Sequence, residues 1–222
     1  MDANDRINLI EEFSKIKNSH VIVLTTFNFD PFFFDGFVLP ILEKHNRSAQ
    51  IIVLVDEGQY SLAYPRFTNR TGIDYHLIPI RLNQGVFHPK FFLFTSKDEI
   101  TTFVGSSNLS LQGFTNNAEL VIKTQTKLDD GISTETKAII DVLNGLVSKK
   151  LIHDNHVLEL FSRISDTLAS KLVISSDDFQ ILHNLDIPIM SQMLSQIPEK
   201  TFEKLFVLAP FFSSDAKPLS EI

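Results

Sequence analysis

Cysteine is absent from the 222 residues, which excludes structural disulfides and thiolate metal sites. Apolar runs long enough to cross a bilayer, roughly 18 residues, are missing too, so no membrane span and no membrane partner is expected. Positive charge is scarce: 20 Lys and Arg face 27 Asp and Glu, a formal net charge of −7. That balance weighs against a protein that grips nucleic acid by bulk electrostatics alone. The opening Met1-Asp2-Ala3-Asn4-Asp5-Arg6 is polar and acidic, the reverse of a secretory signal. A cytoplasmic, soluble protein is the expectation.

What is present is a periodic, apolar-rich chain. Hydrophobic residues make up 43% of it, which argues for a packed fold and against disorder. Residues 1–125 carry 11 Lys and Arg against 13 Asp and Glu, and residues 126–222 carry 9 against 14. The acidity therefore sits mainly in the C-terminal part. Between residues 66 and 90, Arg66, Arg70, Arg81 and Lys90 face only Asp74. They read either as solvated surface charge or as an approach for an anionic substrate.

Ile7, Leu9, Ile10, Phe13 and Ile16 predict an amphipathic helix over about 5–17. β-Branched and apolar runs predict buried strands at 20–27 and 50–55, with a helix over 32–45 between them. A short helix and loop are expected over 56–73. Strands follow at 74–82, 86–95, 100–104 and 118–124, the middle two joined by Ser96-Lys97-Asp98-Glu99. Strands alternating with helices, then neighbouring strands, imply an α/β fold: a mixed central sheet sandwiched by helices, with a C-terminal helical segment. Helices are predicted over 133–148 and 151–172, and a less regular stretch with Pro188 over 179–197. Strand character returns at Leu205–Leu208. The run Val207 to Asp215 shares with Val23 to Asp30 an apolar strand, an aromatic and a closing aspartate. This suggests three parts: a lobe over 1–148, a helical linker or appendage over 149–203, and the start of a second, truncated lobe over 204–222. On that reading the chain is a fragment of a longer two-lobed protein.

Residues 88–108 carry the chemistry. His88 and Lys90, two positions apart at the head of a strand-like run, are expected on one face of a sheet. A second strand ends in Gly105-Ser106-Ser107-Asn108. An imidazole, a fixed cation and a turn rich in hydroxyl, amide and backbone donors suit a tetrahedral oxyanion, phosphate above all. His153 and His156, at helical spacing, also fit a metal site, but no further ligands complete it, and they read as a solvated helix face. The phenylalanine-rich run from Phe27 to Phe37 reads as core with one lip over the site.

His88-x-Lys90, Gly105-Ser106-x-Asn108 and Asn117-Ala118-Glu119-Leu120 together resemble the phospholipase D superfamily over about residues 20–148. The resemblance implies that His88 attacks phosphorus and forms a phosphohistidine. Lys90 would hold the phosphoryl oxygens, and Gly105, Ser106 and Asn108 would bind them through donors and a tight backbone. Glu119 would accept from the other nitrogen of His88. It further implies no metal and no cofactor, and a second histidine that protonates the leaving oxygen. No other histidine here is followed by the lysine and the glycine-serine turn. That partner histidine must come from a lobe in cis beyond Ile222 or from a homodimer. The family's aspartate would fall at Thr95, with Asp98 three residues later and the hairpin correspondingly longer.

The expected activity is phosphodiester hydrolysis by a metal-independent nuclease of bacterial restriction or defence type, with DNA as partner. The alternatives are a phospholipase or phosphatidyl transferase, and a non-catalytic binding lobe of a larger two-lobed protein.

Overall fold

A computed structural model describes residues 7–174 and 181–196. Its contacts divide the chain into one compact unit reaching Phe179 and a second from Gln180. The site candidates all fall in the first. The strand predicted near Leu205 lies outside the described residues.

The first unit opens with α1 (Leu9–Lys15), whose N-terminus is capped by the Asn8 side chain accepting from the Glu11 amide. Leu9 and Phe13 are buried, with Ile10 and Ile16 packed beside them. Strand β1 (Val21–Thr26) follows. Asp30 then caps α2 (Pro31–Phe33), its carboxylate accepting from the amides of Phe32 and Phe33. Proline at the first helical position needs no amide partner. The helix continues as a π-helical turn, Phe34–Val38, into α3 (Leu39–His45). Strand β2 (Gln50–Asp56) runs into α4 (Glu57–Ala63). Strands β3 (His76–Ile80), β4 (Phe91–Thr95), β5 (Glu99–Gly105) and β6 (Val121–Lys127) complete the main sheet. A π-helical turn, Gln112–Asn116, sits between β5 and β6.

The six strands lie in the order β3-β2-β1-β4-β5-β6. The first three are mutually parallel, and β4, β5 and β6 pair antiparallel from β1 outward. The sheet is therefore mixed, as the element pattern predicts. In β1 and β2 nearly every residue is buried, so both faces of the sheet centre are covered. One face presents Ile22, Leu24, Ile51, Val53, Phe92, Phe94 and Phe103 to α1 and α3. The Phe13 ring anchors it, 5.4 Å from Phe92, 5.1 Å from Phe94 and 5.5 Å from Phe103. Alternate residues Val23, Ile52, Leu54 and Leu93 are equally buried and point the other way.

After β6, a short β7 (Ile132–Ser133) leads into α5 (Thr134–Ser148) and α6 (Asn155–Ala169), and β8 (Val173–Ile174) returns to pair with β7. Val157, Leu160, Phe161, Ile164 and Leu168 are buried on α6 at the spacing of one helix face. α6 packs on α5 within the unit that reaches residue 179. The second unit contributes α7 (Ile189–Ser195), which begins directly after Pro188.

The fourth strand is shorter than its sequence suggests. Residues 86–90 lie outside the ladder, and β4 starts at Phe91. The Thr25 hydroxyl, fully buried, accepts from the Phe91 amide at 2.8 Å and donates to the Phe91 carbonyl at 3.2 Å. That side chain takes the place of the next backbone rung. His88 and Lys90 therefore sit on the segment that enters β4 and not within the strand itself.

Candidate active site

Every site candidate lies at one end of the sheet: the C-terminal ends of β1 and β5, the approach to β4 and the approach to β6. Loops at the carboxyl ends of parallel strands are the usual place for a ligand in such a fold.

His88 is exposed, and its ring lies tilted against Phe27 with centroids 4.6 Å apart. Lys90 Nζ is 2.9 Å from His88 Nδ1 and 3.3 Å from Nε2. An ammonium has no lone pair, so this contact requires a neutral accepting nitrogen on the imidazole. The electrostatics agree. The packing around its ring, and then the Lys90 charge, push the His88 pKa below its ordinary 6.5. Lys90 is half-buried, and that burial pulls its pKa below the ordinary 10.5, with Glu119 acting weakly in the opposite sense.

The Gly105-Ser106-Ser107-Asn108 turn is fastened to the end of β1 by one buried hydroxyl. Thr26 Oγ1 donates to the Asn28 carbonyl at 2.6 Å and accepts from the Leu109 amide at 3.0 Å. It also lies 3.3 Å from Asn108 Oδ1. That oxygen additionally accepts from the Asn28 amide at 3.1 Å. With its oxygen held this way, the Asn108 side chain presents its NH2 as the remaining donor. A parallel bridge between Phe29 and Leu109 and the Asp30 amide donating to the Leu109 carbonyl extend the join. The Ser107 hydroxyl is buried without a partner among the described residues.

Gly105 and Ser106 meet surroundings other than those expected. The Gly105 amide donates to the Lys90 carbonyl at 3.0 Å. A Cβ on Gly105 would come within 2.2 Å of the Leu120 carbonyl oxygen. The close approach that needs glycine here is that of the neighbouring chain. The Ser106 hydroxyl donates to Glu119 Oε2 and accepts from the Leu120 amide, and its own amide donates to the Leu120 carbonyl. Glu119 is held by Ser106 and by Asn117 Nδ2, at 3.0 Å for the latter. This corrects the expected bond from His88 to Glu119: the carboxylate braces the serine turn and faces Lys90 instead.

Sequence reasoning missed Thr25, Thr26 and Asp56. Thr25 and Thr26 close β1 and Asp56 closes β2, polar side chains after an apolar run, a signal available without coordinates. Asp56 Oδ2 accepts from the Phe87 amide, one residue before His88, at 3.0 Å. At Thr95, where the resemblance places an aspartate, the hydroxyl donates to the Val21 carbonyl at 3.1 Å. Ser96 closes the hairpin turn instead, accepting from the amides of Asp98 and Glu99.

The arginines before the site divide. Arg70 is engaged by Glu43 and by Asp74, at 2.6 Å for the latter, and both carboxylates hold its pKa up. Arg81 reaches Glu57 at 3.5 Å from an exposed position. The anionic approach expected from four cations thus loses Arg70 outright. His156 bonds Gln50 at 3.1 Å and lies tilted against the His76 ring, with centroids 5.1 Å apart. Among the described residues no group of three or more His, Cys, Asp or Glu side chains could hold a metal ion. No helix among them is long and apolar enough to cross a membrane. Of the phenylalanine run, Phe29, Phe33 and Phe34 are core, whereas Phe32 and Phe37 are exposed.

A family model described as cardiolipin synthase, PLD-like domain, matches residues 9–142. No curated protein matches the sequence. Among solved structures, the chain is similar to Nuc from Salmonella typhimurium, a phospholipase D family member, at 14% identity and TM-score 0.40, covering 52% of this chain and 72% of that one. NucT from Helicobacter pylori is similar at 17% identity and TM-score 0.38, covering 74% and 87%. A polyphosphate kinase from Porphyromonas gingivalis is similar at 17% identity and TM-score 0.41, covering 64% of this chain and 20% of that one.

Proposed function

This chain belongs to the phospholipase D-like family, and from that premise we propose that it is a metal-independent phosphodiesterase whose substrate is DNA, of bacterial restriction or defence type. The observation that carries the reading is the contact between the exposed His88 ring and Lys90, beside a turn locked to β1 through Asn108.

In the proposed reaction a neutral His88 nitrogen attacks phosphorus. The P–O bond to the leaving group breaks, and a phosphohistidine forms. A second histidine, from another copy of the motif, gives its proton to the leaving oxygen. It then takes one from the water that releases the phosphate. Lys90 and the Asn108 NH2 bear on the non-bridging oxygens, where charge accumulates. Gly105, Ser106 and Glu119 complete the phosphate-binding turn, the latter two by holding its shape. The second histidine belongs to a lobe in cis beyond Ile222 or to a second copy of the chain.

The test is cleavage of plasmid and single-stranded DNA by wild type and His88→Ala, with and without EDTA. The expected result is activity that survives chelation and is lost in the variant. Cleavage abolished by EDTA, or equal in both proteins, would refute the mechanism. The matching family is described by a lipid synthase, so phospholipid vesicles form the parallel arm. Turnover of lipid with DNA untouched would transfer the reading to a phospholipase or phosphatidyl transferase.

A further inference from the structure

Asp56 is the last residue of β2 and only 9% exposed. Both of its carboxylate oxygens are used. Oδ1 accepts from the amides of Gly58 at 3.0 Å and Gln59 at 3.2 Å, capping α4. Oδ2 turns the other way and accepts from the Phe87 amide, a buried bond across 31 positions of sequence. Phe87 is itself 3% exposed and immediately precedes His88. The backbone entering His88 is thereby tied to a central strand of the sheet. The segment around it lies outside every strand from residue 81 to residue 90, with Gly85 at a φ of 78°.

The groups bearing on the His88 ring can be named element by element. From the turn after β1 comes the uncharged Phe27 ring. From its own segment comes the Lys90 ammonium, and from the end of β2 comes the Asp56 carboxylate, opposite in sign. Glu119, before β6, is occupied with Ser106 and Asn117.

We propose that Asp56 is the positioning residue for His88: it anchors the backbone leading into the imidazole. The inference rests on the reading of His88 as the reacting group. One carboxylate both caps α4 and holds that backbone because each oxygen serves a separate set of N–H donors. An asparagine cannot, since its NH2 must face either the α4 amides or the Phe87 amide, donor against donor.

The experiment uses the full chain as wild type, Asp56→Asn and Asp56→Ala. The His88 ring is followed by NMR across pH, and DNA cleavage is followed kinetically. Loss of the anchor changes the surroundings of the imidazole, so the His88 midpoint is expected to move by about half a unit or more. kcat is expected to drop about tenfold or more, with KM changed less than about threefold. A His88 midpoint that stays put in both variants, with kcat within about twofold of wild type, overturns the proposal. Should the variants fail to fold, the wild-type Phe87 amide decides. Strong protection from hydrogen exchange is expected, and free exchange with solvent overturns the anchor. The ring titration and the amide are read whether or not DNA is cut. An active His88→Ala protein therefore sinks the nuclease reading without deciding this one.

Discussion

At the scale of single residues, the site depends on groups whose charge is disfavoured where they sit. His88 is pushed below its ordinary pKa by its packing and by Lys90, so the neutral, nucleophilic form persists to lower pH than for a free imidazole. On the proposed mechanism, activity is expected above that lowered pKa and is expected to be lost as pH falls through it. The acidic limb of kcat/KM on a synthetic phosphodiester is therefore expected below pH 6.5; a limb at or above that value would contradict the assignment. Thr26 makes a second prediction. Its hydroxyl serves Asn28, Asn108 and the Leu109 amide together. Thr26→Val leaves a buried amide without its acceptor, at a cost of about 1–3 kcal/mol. Urea denaturation should show the loss, together with a fall in kcat, because Asn108 is released with it.

At the scale of elements, two glycines set how closely segments approach. Gly105 lies against the Leu120 carbonyl, where an added Cβ would meet oxygen at 2.2 Å. Gly113, in the π-helical turn before β6, lies under Asn108, where the same addition would meet backbone oxygen at 2.4 Å and nitrogen at 2.8 Å. Neither neighbour is the free end of a side chain, so backbone must move. Gly105→Ala and Gly113→Ala are each expected to lower the unfolding free energy by about 1–3 kcal/mol, read from denaturation midpoints. Gly113→Ala should also weaken catalysis, because it shifts the donor-bearing turn. Unchanged midpoints would show that the turn yields more easily than the geometry implies.

At the scale of the whole molecule, the proposed mechanism requires a second histidine. Wild type and His88→Ala, mixed equally and allowed to exchange subunits, distinguish the sources. Activity of about a quarter is expected if two copies build one site, and about a half if each chain works alone. A half would show that two copies do not share one site. The proposed second lobe rests on residues 204–222, outside the described structure, so only this solution behaviour bears on it.

The motif was legible because it is a pattern of residue identities, and its members His88, Lys90, Asn108 and Glu119 all fall at one end of the sheet. The sheet's mixed character was legible from helix-linked strands followed by adjacent ones, and the core from β-branched and phenylalanine runs whose periods match their elements. The partners each group finds were not legible. Whether Glu119 serves His88 or Ser106, and whether Arg70 is free or bound by Glu43 and Asp74, depends on where separate loops meet. So does the shortened β4, ended by a threonine far away in sequence. Local pattern specifies which way a side chain points along its own element. A hydrogen bond is settled within a few tenths of an ångström between elements, and only packing of the complete sheet sets that distance.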